Sequence, residues 1–253
     1  MPTPKRRTGL LWILVAVALT LSALAGGWWV GRRQASLAVR EDPKRVLLTK
    51  EVARLRLRLD REEASEADKQ RLLELLVALD GKAEAIALLE PMADREPERW
   101  SLRLMLAELR RDQNDRSGAE RELRQILSRQ PTQVEALQLM ALLKLEQGKS
   151  SEAEKQVKVA FSAATAVEVK PEALGVGLLL AELQQKRGQP AQAEATYQQL
   201  VAAFPLDQRP LLALALLRHG QGNRKGAMDA LAQARLRSAD PGKPDPNLDK
   251  LAA

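Results

Sequence analysis

The sequence predicts an all-α chain. It would be an α-solenoid of about five helix-turn-helix units, preceded by a transmembrane helix and a short juxtamembrane helix. Three observations carry this. Ala85, Ala119 and Ala153 stand 34 residues apart, Ala193 follows 40 later, and Ala227 lies 34 beyond that. Pro97, Pro131 and Pro205 each lie 12 residues after one of these alanines, and Gly148, Gly188 and Gly222 each lie five before one. A fixed period of this length marks a repeat architecture. Runs of β-branched residues with period-two alternation are absent, so no strand is expected.

One unit, Val134 to Val167, shows the internal logic. Leu137, Met140, Ala141 and Lys144 or Leu145 recur at helical spacing. Gly148-Lys149-Ser150 ends that helix. Ser151 with Glu154 then reads as a capping box for a second helix, as does Ser117 with Glu120 one unit earlier. Ala153, Val157 and Ala160 share one face of that second helix. Each unit is therefore two short helices joined by a tight turn. Six extra residues between Ala153 and Ala193 are expected in the loop near Val167 to Lys170, and Pro91 should kink the second helix of the first unit.

This frame resembles the tetratricopeptide repeat family. With units starting at 66, 100, 134, 174 and 208, slot 8 holds Leu73, Ala107, Ala141, Ala181 and Ala215, and slot 20 is alanine throughout. Slot 24 holds Leu89, Leu123, Val157, Tyr197 and Leu231. Slot 27 holds Met92, Ile126, Ala160, Leu200 and Ala234. Small side chains at 8 and 20 let helix backbones approach closely. The family's aromatics at slots 4 and 11 are missing; slot 4 holds Lys69, Arg103, Leu137, Gly177 and Leu211.

The resemblance also implies a site. Slots 2, 5, 9 and 12 of the first helices line a concave groove in this family. By that frame the groove here would show Leu104, Glu108 and Arg111; Gln138, Leu142 and Leu145; Leu178, Glu182 and Gln185; and Leu212 and Leu216. A leucine stripe with a few charges suits an amphipathic helix or an extended apolar peptide. Neighbouring helices, or the chain's own tail, are the competing occupants. The lysine and asparagine of chaperone-tail clamps are absent: Gln70 and Glu74 stand in those places.

The chain around the repeats reads as follows. Residues 1–8 are basic. Residues 9–30 carry no charge over 22 positions, with Trp12 at one end and Trp28 and Trp29 at the other, as in a spanning helix with aromatic belts. The alternative is a secretory signal cleaved after Ala25, at Ala23-Leu24-Ala25, which would release a periplasmic or secreted module. As an anchor it places the amino terminus in the cytoplasm and the repeats on the opposite side. Residues 31–42 are a linker. Pro43 opens a helix within 43–65 whose Leu48, Val52, Leu55 and Leu59 form a seam. That seam should cover the first repeat or, through residues 44–61, a second copy of the chain. The repeats occupy 66–241, and Pro241, Pro244 and Pro246 open a flexible tail at 242–253.

Composition excludes several functions. The net charge is +7, but residues 1–33 hold five cations and no acid, which leaves +2 on the other 220 residues. With aromatics at 3%, neither a basic stripe nor base-stacking platforms are expected, so nucleic acid is not the partner. There is no cysteine and one histidine, His219, expected at the surface. Gly175-Val176-Gly177 is expected to precede a helix but follows no strand, and is not a phosphate loop. Pairs such as Glu62-Glu63 and Arg110-Arg111 are expected in solvent. No catalytic set, cofactor site or metal site emerges. The expectation is a non-enzymatic, membrane-anchored scaffold that serves assembly or biogenesis of a membrane-associated complex by binding a protein partner.

Overall fold

The structure, a computed structural model, describes residues 43–237. The expected span at 9–30, the linker and the tail lie outside the described residues. Among the described residues there are eleven helices and no strand, and no helix is long and apolar enough to cross a membrane. The chain divides into two compact units at Asp80–Gly81. That division falls inside the repeat that starts at 66, in the turn between its two helices.

The first unit holds α1 (Pro43–Asp60) and α2 (Glu66–Ala78). Pro43 is the first helical residue, where its missing N–H costs nothing. Val52 and Leu55 are buried, and Leu48 and Leu59 half-buried, so the seam is in use. Ion pairs Arg58–Asp68 at 3.0 Å and Arg71–Glu51 at 3.1 Å run the two helices antiparallel. The seam thus lies against the first helix of the first repeat. A capping box starts α2: the Asp68 N–H donates to Ser65 Oγ, and the Ser65 N–H donates to the Asp68 carboxylate, both at 3.1 Å.

The second unit holds α3 (Lys82–Arg95), α4 (Trp100–Asp112), α5 (Arg116–Arg129), α6 (Val134–Glu146), α7 (Ser150–Thr165), α8 (Glu172–Lys186), α9 (Pro190–Ala203), α10 (Arg209–Gly220) and α11 (Arg224–Leu236). The second helices of the repeats, α3, α5, α7, α9 and α11, begin at 82, 116, 150, 190 and 224, which reproduces the sequence period. All five slot-20 alanines are buried, as are all five residues at slot 24 and all five at slot 27. Each buried leucine there contributes roughly 1.5–3 kcal/mol of transfer free energy.

One slot turns the corner in every repeat. Slot 15 carries a positive φ at Asp80 (63°), Asn114 (66°), Gly148 (74°), Gly188 (69°) and Gly222 (76°). Left-handed backbone suits glycine, and asparagine and aspartate tolerate it best among the rest.

Three expectations change. Neither Ser117 nor Ser151 caps a helix. Both helices start earlier, so these serines sit in the first turn, and the caps are Asp115, which accepts from the Gly118 N–H at 2.9 Å, and Lys149, whose side chain makes no cap bond. Glu120 and Glu154 are then too far along to reach back, and both turn to the next repeat instead. Gly175 and Gly177 lie within α8, not before it. Arg110 is not solvated: its side chain is only 13% exposed. Pro91 lies inside α3, as expected, exposed and without the bond its nitrogen would have given the Ala87 carbonyl. The loop at 166–171 is as expected, with the Lys170 N–H donating to the Ala164 carbonyl at 3.0 Å.

Candidate functional site

Charge pairs tie the second helix of a repeat to the first helix of the next. Slot 21 holds Glu120, Glu154 and Glu194 in three successive repeats. Glu120 accepts from Gln147 at 2.7 Å and Lys144 at 3.4 Å, both from the next repeat. Glu154 pairs with Arg187, and Glu194 with Arg218 at 2.7 Å. Each base sits at slot 11 or 14 of the following repeat. The signal was present in the sequence as an acid at 21 facing a base or amide at 11 or 14. It was hidden because Glu120 and Glu154 also fit a capping pattern. Burial pushes the Glu120 carboxyl up, but Gln147, Lys144 and Arg124 together hold it below its usual value.

The first helices α4 and α6, and α6 and α8, touch directly, and each first helix of this unit turns one face away from its buried slot-8 side. On those faces stand the eleven residues expected from the sequence. Glu108, Gln138, Leu142, Glu182, Gln185 and Leu216 are exposed, while Leu104, Arg111, Leu145, Leu178 and Leu212 are half-buried. Leu145, Leu178 and Leu212 also lean on the core, so neighbouring helices cover part of each. Slot 8 on the same helices is buried throughout, which fixes the orientation of each face. Met105, beside Leu104, is exposed too and was not expected.

The polar groups on these faces are braced. Arg111 bonds Glu146 at 3.1 Å across α4 and α6, and Glu182 bonds Lys186 at 2.8 Å. Gln185 donates to the Tyr197 hydroxyl at 2.7 Å. Burial, with Glu182 nearby, pushes the Tyr197 phenol up. The arrangement offers apolar contact edged by fixed charges, suited to laying down an amphipathic segment. Among the described residues no three His, Cys, Asp or Glu side chains gather as a metal site. His219 is exposed near the end of α10.

Stacked helical hairpins that turn one helix of each pair toward a shared face define a solenoid of the interaction type. Residues 83–143 and residues 178–244 each match a tetratricopeptide repeat model, and the chain is a tetratricopeptide repeat protein. No curated protein is significantly similar to it. Among solved structures it is similar to a tetratricopeptide repeat protein from Parabacteroides merdae at 16% identity, covering 81% of this chain and 91% of that one with a TM-score of 0.48. It is similar to a thermophilic TPR protein of Thermus thermophilus at 19% identity, over 74% and 97% of the two chains, TM-score 0.47. A third is pilF of Pseudomonas aeruginosa, at 18% identity over 72% and 79%, TM-score 0.47.

Proposed function

We propose that this protein is a non-enzymatic scaffold, anchored in a membrane by residues 9–30, that holds a protein partner on the first-helix faces of the 100–220 region. The partner presents a helix or peptide with an apolar stripe, and the role is assembly or biogenesis of a membrane-associated complex. The amino terminus is cytoplasmic and the repeats lie across the membrane. One observation supports this above the rest. The eleven residues are all exposed or half-buried, while the slot-8 residues of the same helices are buried.

Leu142→Glu, Leu178→Glu and Leu212→Glu test the groove. Crosslinking in native membranes should lose its partner band in each variant, with binding weakened roughly tenfold or more, while circular dichroism keeps the helical signal. An unchanged crosslinking pattern in the triple variant would sink the groove. Mass spectrometry of the mature amino terminus reads the anchor separately. A terminus at Gly26 means a module released by cleavage after Ala25.

A further inference from the structure

Helix α1 has two faces of different chemistry. One packs Val52 and Leu55 toward α2. On the other, Leu47 and Leu57 are 65% and 57% exposed, alongside exposed Lys50, Ala53 and Arg54, with Val46 half-buried and Arg61 following in the turn. At 100° per residue these positions fall within one arc of about 120°. That arc holds three cations and no acid. Glu51 lies outside it and is held by Arg71 at 3.1 Å. Among the described residues Lys50 and Arg61 form no ion pair, and Arg54 acts on Glu51 only through space.

On this face Leu47 and Leu57 flank the cations, so apolar side chains and positive charge can meet one headgroup layer together. A second copy of α1 is a poor occupant, because two such faces would bring like charges together. An anionic surface is complementary. The chain supplies one nearby: twelve residues, 31–42, separate the uncharged 9–30 segment from Pro43, a stretch that spans at most about 40 Å. We infer that the outer face of α1 rests on anionic lipid, with Leu47 and Leu57 at headgroup depth and Lys50, Arg54 and Arg61 on lipid phosphates. This rests on residues 9–30 being a span.

The chain has no cysteine, so Leu47→Cys and Leu57→Cys each carry one nitroxide without background. The full chain is placed in nanodiscs of phosphatidylcholine, with or without phosphatidylglycerol, at one copy per disc. With phosphatidylglycerol, accessibility to oxygen over a water-soluble nickel chelate should rise at 47 and 57 but not at a control label, Gln198→Cys on α9. Lys50→Glu with Arg54→Glu should lower the docked-to-undocked ratio roughly 25-fold or more, at about fivefold per cation removed. Water accessibility at 47 and 57 in both lipids overturns the inference. So does equal protection in phosphatidylcholine alone, or protection that needs two copies per disc. Carbonate washing reads the span independently: a retained chain with exposed labels sinks only the α1 contact, whereas an extracted chain sinks the span.

Discussion

Two repeats of the second unit, 100–133 and 174–207, fill the same slots with opposite chemistry. In the first, slot 4 is Arg103 and slot 11 is Arg110, and Glu122 at slot 23 stands between them. Arg103 pairs with Glu122 at 3.0 Å and Arg110 with Glu122 at 3.7 Å, with side chains only 10%, 7% and 13% exposed for Arg103, Glu122 and Arg110. Asp94 and Glu90, from the preceding repeat, pair with Arg103 Nη2 and Arg110 Nη2, and Asp115 pairs with Arg110 Nη1. In the second, slot 4 is Gly177, and the space goes to Phe161 of α7 and Leu200 of α9. A Cβ on Gly177 would stand 2.7 Å from Leu200 and 2.8 Å from Phe161. Slots 11 and 23 there hold a neutral pair, Gln184 and Thr196, at 2.9 Å. The family's missing aromatics are thus replaced once by a charge cluster and once by an aromatic borrowed from the helix before. One backbone frame accepts both, because the slot-8 and slot-20 small residues already fix how the helices approach.

The comparison can be broken most forcefully at Glu122. Glu122→Ala removes the buried acid between two guanidiniums and leaves them only the more exposed Asp94, Glu90 and Asp115, so it should cost roughly 3 kcal/mol in urea unfolding, the low end for a broken buried pair, whereas replacing Arg103, Glu122 and Arg110 together by apolar residues should cost far less or nothing. If the single and triple variants are equally unstable, the cluster is not what fills this repeat. On the other side, Gly177→Ala overpacks two buried apolar neighbours and should cost about 1–3 kcal/mol, partly recovered by Leu200→Val. A stable Gly177→Ala would mean the aromatic does not occupy the slot.

The turns sharpen the contrast at lower cost. Gly188 and Asn114 share slot 15, with φ of 69° and 66°. Gly188→Ala should lose about 1 kcal/mol from left-handed strain alone, since nothing lies near its Cβ position. Asn114→Gly should be close to neutral. A thermal melt that ranks them the other way would deny the shared slot.

The smallest effect is in acid. Asp115 caps α5, while Gln189 in the same slot of the other repeat makes no cap bond. The Gly118 N–H, then Ser117 and Arg110, hold the Asp115 carboxyl below its ordinary value of 3.8. A carboxyl lowered on folding stabilises above its unfolded value and loses that contribution as pH falls through the folded one. The protection of the Gly118 amide, taken against its intrinsic exchange rate at each pH, should therefore fall below about pH 4 in the native chain, and Asp115→Asn should flatten that response. Exchange at the start of α9 should show no such step.

The sequence was read correctly where the physics is local and periodic. The two-helix units, the buried alanines and the turn glycines all follow from a count of 34, because each depends on its own helix and the next. Asp80 and Asn114 escaped notice in the turn slot only because they are not glycine. The readings that failed share one cause. Ser117 with Glu120 and Ser151 with Glu154 fit a local rule, yet a helix starting a residue or two earlier freed both acids for the following repeat. Arg110 looked like surface beside Arg111, since a helix pattern cannot say which of two adjacent charges will face inward.

What the sequence settled alone is the architecture: helical hairpins in register, with small side chains where backbones meet. What only the tertiary structure decided is how the buried charges and glycines are satisfied. Glu122 meets Arg103 across 19 residues, Arg187 meets Glu154 across 33, and Gly177 admits Phe161 and Leu200 from two other helices. Such partners are chosen by proximity in the folded stack, where a charge out of water must find its counterpart. No period along the chain records which neighbour that will be.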